Sequence, residues 1–270
     1  MYKRQEQVNG NLLLYAVTRR SFRGGGYNIY AVQRPGPAAT GGSEFEPEIA
    51  TDVEGGFKFQ GRLADTPYRL NVAVYKQWVK NVQRNLYAND PVTGAIQSLT
   101  VNIPQGQIYG LEADTEIQPT RWLTVGANLA YTHAKFTKNT AIVYGAPTVY
   151  GPYPDTPKWS GSAFAQLNLP IDGVGTAVVR GDLYGQTGTY FSSLAGTQTP
   201  GTRLPGYKIV NVRAGVENIG DSGVSVTASV RNLTKKTYYV GGIPLGQVLS
   251  VNSAVPGEPR MYSIEARVKF

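Results

Sequence analysis

Cysteine is absent from the 270 residues, histidine occurs once and methionine twice. With no thiol there is no disulfide framework, no thiolate zinc site and no cysteine nucleophile. A single histidine, His133, means that any Ser/His/Asp arrangement must use it. Long apolar runs are also missing. No stretch of about 18 apolar residues occurs, so a transmembrane helix is excluded on length. A membrane barrel is not, because its strands need only about 10 residues each and every second side chain faces the lumen.

What the chain has in quantity is glycine, 32 residues, and tyrosine, 18 residues, with a formal charge of +8. The charge points to anionic partners such as nucleic acid, lipopolysaccharide or an acidic ligand without choosing among them. The clearest pattern is alternation. In the last ten residues Tyr262, Ile264, Ala266, Val268 and Phe270 alternate with Ser263, Glu265, Arg267 and Lys269, a period of two with one apolar and one charged face. Residues 208–217, 224–231 and 123–132 behave alike. Reading backwards from these gives about ten strands, near 11–20, 49–60, 67–80, 106–118, 121–136, 158–169, 174–190, 207–218, 223–234 and 259–270.

Connections alternate too. Short turns at 61–66, 119–120, 170–173 and 219–222 are interleaved with long loops at 21–48, 81–105, 137–157, 191–206 and 235–258. Short periplasmic turns and long extracellular loops are the rule for outer-membrane barrels, whereas a soluble sandwich has no reason to confine long loops to one end. An even strand count puts both chain ends on the periplasmic side. The expected fold is thus all-β, an antiparallel transmembrane β-barrel section of about ten strands.

Specific stretches resemble a known family. Val230-Arg231-Asn232-Leu233-Thr234-Lys235-Lys236-Thr237-Tyr238 is similar to the penultimate-strand motif of TonB-dependent outer-membrane receptors, and Gly257-Glu258-Pro259-Arg260, followed by a strand ending in Phe270, to their last strand. Leu14 to Asn28 resembles a mid-barrel strand leaving into a long loop, and Gly110-Leu111-Glu112-Ala113 the start of a later strand. The resemblance implies the C-terminal part of a 22-stranded barrel with a plugged lumen, and a transporter rather than an enzyme. It implies a bacterial outer-membrane location among lipid and lipopolysaccharide, and no nucleic-acid partner. It further implies coupling to the TonB complex through a plug region that this chain lacks, and a terminal aromatic, Phe270, read by the barrel-assembly machinery. The transported ligand it implies is a ferric siderophore, with no covalent cofactor; relatives carry cobalamin, haem, nickel complexes or glycans. A complete small passive pore or adhesin anchor is the alternative. Residues 1–5 match what a transposon end used in sequencing libraries encodes when GTG is read as the start, which sets them apart as a non-native leader before the barrel section 6–270.

Candidate site residues follow from ligand chemistry. The loops hold Tyr27, Tyr30, Tyr87, Tyr144, Tyr150, Tyr153, Tyr190 and Tyr239 beside Arg23, Arg34, Arg84 and Arg203. Aromatic rings with guanidinium groups suit a flat anionic ligand; equally, tyrosine-rich loops fold over a barrel mouth. Arg23, Tyr27, Tyr30, Arg84, Tyr150, Tyr153 and Arg203 are the ligand-binding candidates. Arg23-Gly24-Gly25-Gly26 is read as a strand-to-loop exit, since neither a Gly-Lys-Ser/Thr nor a helix follows it as a phosphate loop requires. Tyr109, Tyr131, Tyr184 and Trp122 are expected in aromatic girdles, His133 on the lipid-facing side, and Glu112, Asp114 and Glu116 on the lumen wall opposite Arg180, Arg213 and Arg231.

Overall fold

The computed structural model describes residues 2–29, 34–197 and 201–269. Its framework is one antiparallel sheet of eleven strands in chain order. These are β1 (Tyr2–Asn9), β2 (Leu12–Arg23), β3 (Glu48–Leu63), β4 (Thr66–Asn89), β5 (Ile96–Thr120), β6 (Leu123–Lys138), β7 (Trp159–Ile171), β8 (Gly175–Gln186), β9 (Tyr207–Glu217), β10 (Val224–Arg231) and β11 (Met261–Val268). Each strand pairs with its sequence neighbours, which is the simplest way to satisfy every backbone N–H and C=O where lipid offers no hydrogen bonds.

Register sorts the side chains. Along one row Leu14 lies opposite Phe57, Phe57 opposite Val72, Val72 opposite Ala113 and Ala113 opposite Leu129. Along another, Val212 meets Val230 and Val230 meets Tyr262. These rows form a continuous apolar outward face. Its side chains have no protein partner, so Val74, Leu129, Leu167 and Val179 stay 40–52% exposed. An apolar surface this extensive is tolerated only against a membrane or a partner. No described helix is long and apolar enough to cross a membrane; the strands form the spanning element.

The inward rows are polar and paired. Arg19 bonds Asp52 through Nε at 3.0 Å and reaches Glu54 as well. Arg69 lies 3.7 Å from both Asp114 and Glu116, and Arg180 is 2.7 Å from Asp182. The carboxylates of β5 therefore meet Arg69 on the adjacent strand and not Arg180, Arg213 or Arg231. Those three arginines lie three or more strands away, and at about 4.8 Å per strand no side chain spans the gap.

Three sequence expectations are corrected. β1 is an additional strand: Tyr2 to Gln7 pair with Thr18 to Leu13, so the described strand count is odd and the two ends of the sheet's chain path lie on opposite sides. β1 carries no alternation: its outward positions, opposite Thr18, Ala16 and Leu14, are Tyr2, Arg4 and Glu6, one aromatic and two charged. Residues 81–105 are not a long loop, since β4 and β5 continue to Asn89 and Ile96 and close through a short turn held by Asp90. Tyr184 faces the lumen, opposite Ser162 and Ile209, and stacks in a tilted ladder with Tyr207 and Tyr238 at 6.0 and 4.5 Å.

Tyr109 and Tyr131 lie in the outward girdle as expected, each with an added partner, whereas Trp122 sits in the turn between β5 and β6. Tyr109 stacks on His133 at 4.8 Å, and Tyr131 packs on Trp159 at 4.7 Å. All four are outward. The protein's own buried core lies above them, where Val82, Leu86, Leu99, Val101 and Ile103 of the extended β4–β5 hairpin pack with Ala141, Val143 and Tyr150.

This sorting predicts an asymmetry between neighbouring positions of β6. Ala127 lies midway along the outward ladder, and Ala130 lies opposite Glu112 on the lumen side. Ala127→Arg is expected to cost about 2–4 kcal/mol and Ala130→Arg under about 1 kcal/mol, measured by urea unfolding in lipid vesicles.

Candidate functional site

The extended hairpin exists because its sequence keeps the strand period beyond the membrane. Where β4 and β5 leave the membrane the ladder breaks: Asn81 adopts φ 54°, opposite Pro104, which has no N–H to donate. Asn102 spans the break, its Nδ2 donating to the carbonyls of Asn81 and Glu46 at 3.0 and 2.9 Å, while its Oδ1 accepts from the Glu46 N–H. Beyond the break the register resumes with Val82 opposite Ile103, and both are buried in the loop core.

Further bonds sew loop 24–47 to this hairpin. Gln83 Nε2 donates to the carbonyls of Gly24 and Glu46 at 2.8 and 3.0 Å. Asn28 imitates a strand edge, donating to the Thr100 carbonyl at 3.0 Å and accepting the Thr100 N–H at 2.7 Å. At the tip, Arg34 forms a two-pronged pair with Asp90 at 2.7 and 3.0 Å, and Asp90 is fully buried. The same carboxylate accepts the N–H groups of Val92 and Thr93, capping the turn. Sequence reading noted Arg34 and missed Asp90; the one available signal was an Asn-Asp-Pro turn start.

Tyr150 and Tyr153 hold this layer together. Tyr150 is 0% exposed and Tyr153 is 6% exposed. Tyr153 stacks on Phe136 at 4.4 Å and Tyr150 meets the same ring edge-on at 6.0 Å. Gly106 makes room, because a Cβ there would stand 2.0 Å from the Tyr153 hydroxyl. Among the described residues neither hydroxyl has a hydrogen-bond partner. Burial raises both phenols, Tyr153 to about 12, so both stay neutral.

Beside them opens a cavity of about 290 Å³ lined by Arg23, Gln83, Arg84, Tyr87, Asp155 and Ser192, among others. Arg23 enters it from the end of β2. Arg84 enters from β4, its guanidinium 5.0 Å from the centre of the Tyr153 ring. Arg84 Nη1 donates to the Gln83 carbonyl at 2.9 Å, while its Nε is buried with no partner among the described residues. The structure thus brings Arg23 and Arg84 to one cavity, with Tyr153 against the Arg84 guanidinium but outside the lining. Tyr27 is 61% exposed on a small hairpin, and Arg203 is exposed on another, paired with Tyr190; neither lines the cavity. Tyr30 and Phe270 lie outside the described residues.

Asp90 provides a pH test. Its carboxyl is held well below the usual range, first by the Arg34 guanidinium and further by the Thr93 and Val92 N–H groups. A lowered folded-state pKa means stabilisation that is complete above the ordinary value of about 3.9 and lost only as pH falls through the lower folded value. Hydrogen exchange of residues 34–46, corrected for intrinsic rates, is expected to stay unchanged from about pH 7 to pH 4 and to rise below that. Asp90→Asn is expected to raise it already at pH 7.

The barrel model described as TonB dependent receptor-like matches residues 1–233. Comparison with curated proteins gives no match. Among solved structures, the ferric yersiniabactin uptake receptor FyuA of Yersinia pestis superposes with a TM-score of 0.74 at 18% identity, covering 99% of this chain and 36% of that one. The copper transporter OprC gives 0.72 at 17%, covering 98% and 38%. The ferric-catecholate import receptor Fiu of E. coli K12 gives 0.67 at 18%, covering 97% and 33%. At such identities the likeness is one of fold, and the chain spans about a third of the length of these receptors. With eleven strands in meander order, a lipid-facing apolar surface and a family match over most of its length, this chain belongs to the TonB-dependent receptor β-barrel family of the bacterial outer membrane, a family of transporters and not of enzymes.

Proposed function

We propose that the chain is the C-terminal part of an energy-coupled receptor that captures an anionic, aromatic metal chelate of the ferric siderophore class. The observation that carries this reading is the convergence of Arg23 and Arg84 on one cavity at the extracellular mouth, with a buried Arg84 Nε that has no partner among the described residues. Charge-assisted hydrogen bonds from guanidinium groups suit catecholate or carboxylate oxygens. Tyr153 contributes by holding the Arg84 guanidinium over its ring face, while Tyr27, Tyr30 and Arg203 serve as outer contacts on the loops. Tyr150 supports the site through packing.

A bare metal cation fits less well. The chain offers one histidine and no cysteine, and among the described residues no group of three His, Cys, Asp or Glu could hold a metal. Two arginines at the cavity repel a free cation and attract an anionic chelate. In this reading TonB acts through a plug region of the complete receptor, and the assembly machinery reads the aromatic residue Phe270.

The test is ligand affinity in the complete receptor. Arg23→Ala combined with Arg84→Ala removes two charge-assisted contacts worth about 1.5–3 kcal/mol each, about 3–6 kcal/mol together, so the ferric siderophore Kd, followed by fluorescence quenching, is expected to rise at least about a hundredfold. Wild-type affinity in this variant, with Arg203→Ala also silent, overturns the reading.

A further inference from the structure

The mouth cavity holds one charged residue that the two arginines leave unexplained. Asp155 lines the same space of about 290 Å³ as Arg23 and Arg84, and it is the only acidic residue among the described residues of that lining. Opposite charges sharing so small a space attract strongly, and an ion pair is the expected outcome. None forms. Among the described residues the Asp155 carboxylate has neither a hydrogen bond nor an ion pair. Burial holds its carboxyl above the ordinary value, with no guanidinium near enough to draw it back.

The backbone fixes this arrangement. Tyr150 forms a bridge with Leu194, the Gly151 N–H donates to the Ser193 carbonyl, and the Asp155 N–H donates to the Tyr190 carbonyl, both at 2.7 Å. Tyr153 is locked against Phe136, and Pro154 and Pro157 restrict the turn between. Within it Asp155 adopts φ 50°, a left-handed conformation that a residue other than glycine keeps only where its surroundings enforce it. The fold thus mounts the carboxylate on a wall built by segments 150–155 and 190–194, and the guanidinium groups on a wall built by the ends of β2 and β4.

A role in the turn alone does not account for the aspartate. A turn aspartate ordinarily accepts a nearby backbone N–H, as Asp90 does from Val92 and Thr93. Asp155 accepts none. It also remains exposed, so a ligand in the cavity can reach it. A carboxylate from which water is partly withdrawn, and which the protein leaves uncompensated, is best satisfied by a group that brings positive charge and N–H donors.

We propose that Asp155 is a specificity-determining residue that receives an ammonium group of the ligand, which makes that ligand a zwitterionic metal chelate, anionic toward Arg23 and Arg84 and cationic toward Asp155. This specificity rests on the ligand site proposed above. The carboxylate also acts against competitors, because a chelate of purely negative charge places an anion beside Asp155 and loses affinity there.

To test it, the complete receptor is titrated by fluorescence quenching with two ferric tris-catecholates that differ in one amine arm, a free ammonium in one and N-acetylated in the other. The wild type is expected to bind the ammonium form at least about tenfold more tightly. Asp155→Asn, which keeps the size and tolerates the left-handed backbone, is expected to erase that preference by weakening the ammonium form while the acetylated form binds as tightly or more so. Asp172→Asn in a periplasmic turn is expected to change neither. Heat-modifiable gel mobility checks folding; if Asp155→Asn fails it, Asp155→Gly gives the same reading, since glycine also accepts the backbone. Equal wild-type affinity for the two chelates, or a preference that survives in the folded variant, overturns the role of Asp155. Arg23→Ala combined with Arg84→Ala separates the two failures. If it weakens both chelates while Asp155→Asn leaves their ratio unchanged, only the role of Asp155 falls; if it leaves both affinities at the wild-type level, the anion site falls with it.

Discussion

The interaction on which everything else depends is the hydrogen-bonded ladder between neighbouring strands. In hydrocarbon an unpaired N–H or C=O costs several kcal/mol, so the backbone must be satisfied within the sheet. Once it is, side chains are forced to alternate between two solvents, lipid outside and a polar lumen inside. The outward rows are apolar because nothing else is stable there, and the inward pairs, such as Arg69 with Asp114 and Glu116, are possible because water or protein covers them. The fold has no conventional core between layers. Its apolar burial within the membrane is supplied by lipid.

Above the membrane the constraint changes, and so does the architecture. Water can satisfy loose backbone, yet β4 and β5 stay paired out to Asn89 and Ile96. They can do so because alternate residues, Leu99, Val101 and Ile103, find a covering layer in Phe136, Ala141, Val143 and Tyr150. The break in the ladder at Asn81 and Pro104 marks the change from a lipid-facing sheet to a packed one. The same rigid hairpin presents Arg84, so the mouth cavity is built on a strand and not on a free loop, which favours precise placement of its guanidinium.

Much of this was legible in the sequence where lipid enforces the period of two. Residues 123–132 and 261–268 announced their strands, and His133 fell on the outward face by counting from Leu123. The alternation of Leu99, Val101 and Ile103 was equally present, but Pro91, Gly94 and Pro104 read as loop markers and concealed it. β1 offered nothing to count, because its outward positions Tyr2, Arg4 and Glu6 do not make an apolar row. Tyr184 was misplaced for a different reason: tyrosine suits both a girdle and a lumen ladder, and only register separates them. The candidate site divides in the same way. Arg23 and Arg84 could be named by chemistry, whereas the burial of Tyr150 and the role of Asp90 depend on contacts between segments far apart in sequence.

The two-faced strand is the central claim, and the absence of native cysteine makes it directly measurable. Single cysteines at positions 123 to 135 of β6, spin-labelled in reconstituted outer-membrane lipid, report access to oxygen, which favours the bilayer, and to a water-soluble nickel chelate. The account predicts a period of two, with positions 123, 125, 127, 129 and 131 oxygen-accessible and the even positions not. A period near 3.6, or equal access along the whole segment, would contradict it.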